Sequence, residues 1–287
     1  LFKQTLDKEY AMEWPKLKNI ILLLLVCVNA VLLVLYGMQA GRAARYEEET
    51  RQAAVTVLEQ NGITFGLERF PDDLELSPLI VTRERDSEAE VARLLLGDGV
   101  QREGESDVRH RYTSTLGTAE FSMNGSFTIQ LQPDAWLKVQ DDSYEDASTA
   151  CLEHIGLSCS LASVRSDDAS ATLSYVQNWE GAPVFSCQIT LVWEENSLLR
   201  IEGQRLAGTA VTGEGAPLST ATILVRFLAG ISQGGYVCSR IDDMIPGYVM
   251  TGSSRPAELT PVWCVVTDSG AYYVDAITGE LTPADAS

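Results

Sequence analysis

A single apolar run, Ile20 to Tyr36, constrains this chain more than any other feature. It is interrupted only by Asn29 and carries no charge. With Gly37 to Ala40 it covers 21 residues. At ~1.5 Å per residue that is roughly 32 Å of helix, enough to cross a bilayer. About 245 residues follow it. The pattern predicts a cytoplasmic tail at 1–19, a transmembrane helix at 20–40 and a large region beyond.

Charge suggests the orientation. Four of the five lysines (Lys3, Lys8, Lys16, Lys18) precede the apolar run, and only Lys138 follows it. Lysines beside a first span hold the N-terminus in the cytoplasm. The tail sums to +1 and the whole chain to −19. An acidic, almost lysine-free remainder suits an extracellular surface and argues against nucleic acid or anionic lipid as partners. A cleaved signal peptide is the competing reading. Its core would be shorter, about 7–15 residues, with a small-residue exit that Gly37-Met38-Gln39-Ala40 does not supply. Met12-Glu13-Trp14-Pro15-Lys16 reads as a natural start, so residues 1–11 are expected to be foreign to the rest.

The region beyond the run reads as α+β. Tyr46, Thr50, Ala53, Ala54, Val57 and Leu58 recur at helical spacing, and Asn61-Gly62 ends that helix. A strand over Ile63 to Leu67 and an apolar stretch at Leu79-Ile80-Val81 follow. Ser87 with Glu90 reads as a capping box for a short helix stopped at Gly97. Residues 98–110, charged and glycine-dotted, read as a loop. Asn124-Gly125 between Thr118–Met123 and Ser126–Leu131 is a strong hairpin signal. From Ser143 a helix carrying Tyr144, Ala147, Cys151 and Ile155 precedes strands at 171–177, 184–192 and 198–202. From Thr220 a second helix precedes strands at 248–250, 262–267 and 271–276. Pro183-Val184-Phe185-Ser186-Cys187 resembles Pro261-Val262-Trp263-Cys264-Val265 at an offset of 78 residues. These patterns predict a first α+β region at 41–140 and tandem modules at 141–212 and 213–287, each a helix followed by an antiparallel sheet.

No constellation for catalysis emerges. Gly230-Ile231-Ser232-Gln233-Gly234 fits a nucleophile elbow in letters. An elbow needs a preceding strand and a later histidine, whereas a helix precedes it and both His110 and His154 come earlier. Cys151, His154 and Cys159 match no common zinc spacing. Five cysteines beyond the apolar run make a full disulfide framework an odd fit and read mostly as buried apolar residues, with a Cys151–Cys159 bridge as the alternative. The acid pairs at 141–142, 194–195 and 242–243 read as solvated turns. We expect no catalytic residue, cofactor or metal.

Signal transfer by contact is then the expectation. Asn29, Leu33, Gly37 and Gly41 fall four apart on one helical stripe. A mid-membrane amide favours a hydrogen-bonded neighbour, and Gly37-x-x-x-Gly41 admits a second helix closely.

Three stretches carry a family resemblance. The first is Met12-Glu13-Trp14 with Lys16, Lys18 and the apolar helix containing Asn29 and Leu32-Leu33. The second is the helix ending at Asn61-Gly62-Ile63 with the Pro71 to Leu79 segment. The third is LTPVWCVVTDSGAYYVDAITGEL, Leu259 to Leu281. Together they resemble the YycH/YycI family, YycI more closely, over Met12 to Leu281. The last block also looks like the PepSY-type modules of exported regulators. The charged stretch at 98–110 and the outer cysteines depart from the family. The resemblance implies a bitopic, non-catalytic regulator of a WalK-like sensor histidine kinase linked to cell-wall homeostasis in Gram-positive bacteria. It implies a sister YycH-like protein as a further partner and leaves homo- and heterodimers open. A membrane-anchored PepSY-type inhibitor or chaperone of an exported peptidase is the alternative.

Overall fold

The computed structural model describes residues 14–104, 108–133, 135–136, 143–167, 169–251 and 256–284. Contacts divide the chain into two units, 1–56 and 57–287.

The first unit holds most of α1 (Trp14–Gln60), a continuous helix of 47 residues. The apolar run and the helix that follows it in the sequence are parts of this one helix, which no proline or cap interrupts near 40–44. Every described side chain from Ile21 to Tyr36 is exposed. Ile20 and Gly37, on either side, lie outside the described side chains. Among the described residues no helix is long and apolar enough to cross a membrane. The helix ends as Asn61-Gly62 predicts. Ile63 N–H donates to Leu58 O and Gly62 N–H to Glu59 O, both at 3.0 Å, with Gly62 at φ 80°. This is the double bond of a Schellman cap.

In chain order the second unit comprises β1 (Leu79–Arg83), α2 (Ser87–Leu96), β2 (Gln101–Glu103), β3 (Arg109–Ser114), β4 (Gly117–Ser122) and β5 (Ser126–Leu131). Then come α3 (Tyr144–His154), β6 (Cys159–Ser166), β7 (Ser170–Trp179), β8 (Ala182–Glu194), β9 (Ser197–Gln204) and β10 (Gly208–Thr212). The last part is α4 (Thr220–Gly234), β11 (Ile241–Thr251), β12 (Ala257–Thr267), β13 (Gly270–Asp275) and β14 (Leu281–Pro283). It is a mixed α+β fold. The described strands join into one 14-stranded sheet whose main path runs β10-β1-β12-β11-β8-β9-β5-β4-β3-β2. Nearly all neighbours are antiparallel. The two halves meet at one parallel register pair, Tyr248 beside Val184.

Alternation explains the first half. In β7, Ala171, Leu173, Tyr175 and Gln177 point inward and are buried. β4 and β5 do the same with Ala119, Phe121, Phe127, Ile129 and Leu131. Their other faces carry Thr, Ser and Glu, as a one-sided antiparallel sheet requires. α2 and α3 close the inner face with Val91, Leu95, Cys151, Leu152 and Ile155. Each such side chain contributes about 1.5–3 kcal/mol when fully buried. Trp193 anchors this layer. It is fully buried, and its indole Nε1 donates to Ser148 Oγ of α3 at 2.8 Å. Gln177 has its amide satisfied twice by one residue: its Nε2 donates to Leu206 O (2.7 Å) and its Oε1 accepts from Leu206 N (2.8 Å). In the second half, α4 is capped by Ser219, whose Oγ accepts from Thr222 N. It sets Phe227 edge-on to Tyr272 of β13, with centroids 6.1 Å apart.

Several expectations change. Ile63 to Leu67 is not a strand, since Thr64 makes a lone bridge to Arg240 and Leu67–Arg69 is a 3-10 turn. Stretch 98–110 contains β2 and the start of β3, because pairing with β4 outweighs its polar composition. The Ser87–Glu90 capping box does not form. Asp86 is the N-cap, without a side-chain bond, and Ser87 sits inside the helix with its hydroxyl bound by Arg205. The boundaries expected at 141 and 213 fall inside one sheet, with β5 paired to β9 and β1 to both β10 and β12. A helix followed by antiparallel strands does occur twice, at α3 and α4. The stretch 183–187 lies on β8, whose turn to β9 follows Glu194, and 261–265 lies on β12, whose turn to β13 follows Thr267. Phe185 stacks on Tyr273, centroids 5.1 Å apart, while Trp263 lies at a position of odd parity on β12, opposite to its neighbours Val262 and Cys264, which pack with Phe185.

Candidate functional site

The four residues expected to contact a partner helix lie along one face of α1, each a little over one turn from the next. Leu33 is 71% exposed. Asn29 Nδ2 donates to Leu25 O of its own helix at 2.9 Å. One amide proton is thus satisfied locally, which lowers the cost of Asn29 in lipid and weakens its pull on a neighbour. Gly37 and Gly41 are helical.

A groove of about 620 Å³ opens in the second unit between the Pro71–Leu76 segment, the β7–β8 turn and β11. That volume falls in the range of ligand sites. Its wall is apolar (Leu74, Leu76, Pro183, Ile245, Pro246, Trp263), and Asp72, Asp73, Glu75 and Glu180 line it as well. Two local features build it. Asp73 Oδ1 accepts from Thr220 N at 2.7 Å and Thr220 Oγ1 donates to Asp72 O, pinning the segment to the start of α4. β11 bonds β12 along its length and pairs with β8 at Tyr248, while near its start Ile241 N donates to Thr64 O and Asp242 O accepts from Arg69 Nη1. Pro246, without an N–H, suits the stretch beyond the single β8 pair. Trp263 is 2% exposed, and its Nε1 has no hydrogen-bond partner among the described residues.

A charged cluster lies where β1, α2, β3 and the segment after β9 converge. Arg85 Nε bonds Glu88 Oε1 at 2.8 Å, and His110 Nδ1 lies 2.6 Å from Glu88 Oε2. The side chains of Arg85, Glu88 and His110 are 15%, 6% and 13% exposed. Arg83 donates to Asn124 O, and Arg205 donates to Ser87 Oγ with its Cζ 5.5 Å from the Phe121 ring centre. Burial lowers the pKa of Arg205, and nearby Glu88 works in the opposite direction. Gly125, at φ 91°, lets the hairpin turn approach, since a Cβ there would meet Arg205 O at 2.4 Å. Sequence reasoning missed this cluster because Arg83-Glu84-Arg85 reads as a solvated charge run. One signal was available: Arg83 continues the inward period of Leu79 and Val81 on β1.

Residues singled out for chemistry lie apart in role. Ser232 is in α4, on its exposed last turn. His110 is held by Glu88, and His154 lies against Trp136, centroids 5.3 Å apart. Among the described residues no group of acidic, Cys and His side chains could hold a metal, and Asp141 and Asp142 lie outside them. All six cysteines are free thiols, so Cys151 and Cys159 are not bridged. Burial pushes Cys151, Cys159 and Cys187 up to about 12 and Cys264 to about 11. Thiolate is the reactive form, so Cys151 and Cys187 should take up iodoacetamide only after denaturation. A raised thiol favours the folded state fully below its unfolded value of 9.0, and this is lost as pH climbs toward 12. The urea midpoint should therefore fall between about pH 8 and about pH 10.5. Rapid labelling of Cys151 in the native protein, read by peptide mass spectrometry, would contradict this burial.

No known protein family matches the chain by sequence, and no curated protein matches it. Among solved structures, an uncharacterised protein from Eubacterium rectale is similar over 72% of this chain and 86% of its own, at 13% identity and a TM-score of 0.49. The C-terminal domain of YpeB from Bacillus megaterium is similar over 70% and 96%, at 14% identity and a TM-score of 0.40. Neither likeness is close enough to assign a function, which rests on the chain's own residues.

Proposed function

We propose that this chain is a non-catalytic, membrane-anchored regulator of a WalK-like sensor histidine kinase. It acts by contact, through α1 in the membrane and through its outer α+β unit, in concert with a sister YycH-like protein. The supporting observation is the apolar surface of α1. Leu23, Leu24, Leu33 and Tyr36 are 65%, 63%, 71% and 74% exposed within an apolar run interrupted only by Asn29. So large an apolar surface requires a cover, and lipid is the cover that the run's composition suits. The acidic remainder then faces outward, and the groove beside Trp263 is its contact surface for a partner. The same groove favours a second reading, an anchored PepSY-type inhibitor or chaperone of an exported peptidase.

Topology is tested by Ser160→Cys on exposed β6 with a membrane-impermeant thiol reagent. Labelling of intact cells is expected, and labelling only after lysis would overturn the orientation. Partner contact is tested by Asn29→Leu. Interhelical bonds of this kind are worth about 0.6–2 kcal/mol, so kinase recovery in detergent should fall roughly threefold to thirtyfold. The lower end is expected, because Asn29 already bonds Leu25 O. The circular dichroism of the outer unit should not change. Undiminished recovery would remove Asn29 from the interface. Recovery of an exported peptidase in place of a kinase would favour the second reading.

A further inference from the structure

Arg205 is left chemically incomplete by its own fold. It is 6% exposed, and its Nη1 is enclosed without a hydrogen-bond partner among the described residues. It makes no ion pair among them either, since Glu88 is engaged by Arg85 and His110. A guanidinium keeps its charge at neutral pH, so this N–H calls for an acceptor beyond the described residues. Arg205 lines a small open pocket with Arg83, Arg85, Glu84, Glu88 and the Ser122–Ser126 turn. Three guanidinium groups therefore face two carboxylates in a chain whose net charge is −19. The enclosed part measures about 20 Å³, room for one water-sized atom.

We propose that this pocket binds the carboxylate of a small acid or of a peptide C-terminus against the guanidinium groups of Arg83, Arg85 and Arg205 that line it. A planar carboxylate matches the guanidinium fork. The site is separate from the groove at Trp263 and from the stripe on α1, and it does not rest on the kinase reading.

The test uses the full chain in detergent at constant ionic strength. Carbon-13 formate is followed by NMR line broadening on the wild-type protein, with acetate and chloride as competitors. Saturable broadening displaced by acetate, but not by chloride, is expected. Trialanine and its C-terminal amide separate the two sources. Displacement by the acid form alone assigns a peptide terminus, and displacement by acetate without trialanine assigns a free small acid. Arg205→Lys keeps the charge but loses the fork, and it should weaken formate about tenfold. No saturable broadening on the wild-type protein would mean that the pocket holds water only and would overturn the proposal. Equal displacement by chloride, or unchanged affinity in a folded Arg205→Lys protein, would overturn it too.

Discussion

Glu88→Ala is expected to cost the second unit about 3–5 kcal/mol, the usual result of removing one partner from a buried ion pair. The carboxylate sits between Arg85 Nε at 2.8 Å and His110 Nδ1 at 2.6 Å, and its side chain is 6% exposed. Its loss leaves the Arg85 guanidinium buried without that counter-charge, and it deprives Arg205 of its nearest carboxylate field. For a unit of this size each kcal/mol lowers the melting temperature by roughly 2–4 °C, so a fall on the order of 10 °C should be seen. Glu88→Gln keeps the volume and one acceptor and should cost less. Thermal melts followed by circular dichroism check both. A Glu88→Ala protein within about 1 kcal/mol of wild type would show that the cluster contributes no more than a surface ion pair.

Trp193→Ala should be as damaging, about 3–5 kcal/mol, for a different reason. Trp193 is fully buried at the centre of the layer between α3 and the sheet, beside Tyr144 at 5.8 Å between centroids. Truncation opens a cavity that helix and sheet cannot both close, and it strips Ser148 Oγ of its donor. Trp193→Phe separates the two effects. Most of the volume stays and one hydrogen bond goes, while Ser148 keeps its side-chain hydrogen bond to Tyr175, so the loss should be about 0.5–1.5 kcal/mol. Ser148→Ala, alone and in that background, measures the coupling between the two side chains. Urea unfolding of wild type, Trp193→Phe, Ser148→Ala and the double variant completes the cycle. Equal losses for Trp193→Ala and Trp193→Phe would place the cost in the hydrogen bond instead of the packing.

Local signals were legible wherever one segment decides its own structure. The Asn61-Gly62 helix end, the Asn124-Gly125 hairpin, the helix at 144–154 and the alternating strands at 171–177 and 184–192 all lie where their patterns indicate. β3 and β6 were not legible. β3 is polar, and β6 is exposed along most of its length, so neither carries the period that marks a half-buried strand. Their partners β4 and β7 make them strands. The charged cluster was hidden for a related reason. Arg83, Glu88, His110 and Arg205 are scattered over 123 positions, and each alone looks like surface.

What the chain determined by itself is its division into an apolar N-terminal helix and an acidic α+β remainder, together with the turns and caps inside that remainder. Those depend on residues within one turn or one hairpin of each other. Tertiary structure alone decided that the regions before and after residue 141 share a single sheet, and that Arg83, Arg85, Glu88 and Arg205 meet beneath a turn. Strand order and buried charge depend on which distant surfaces pair, and local periodicity carries no record of that choice.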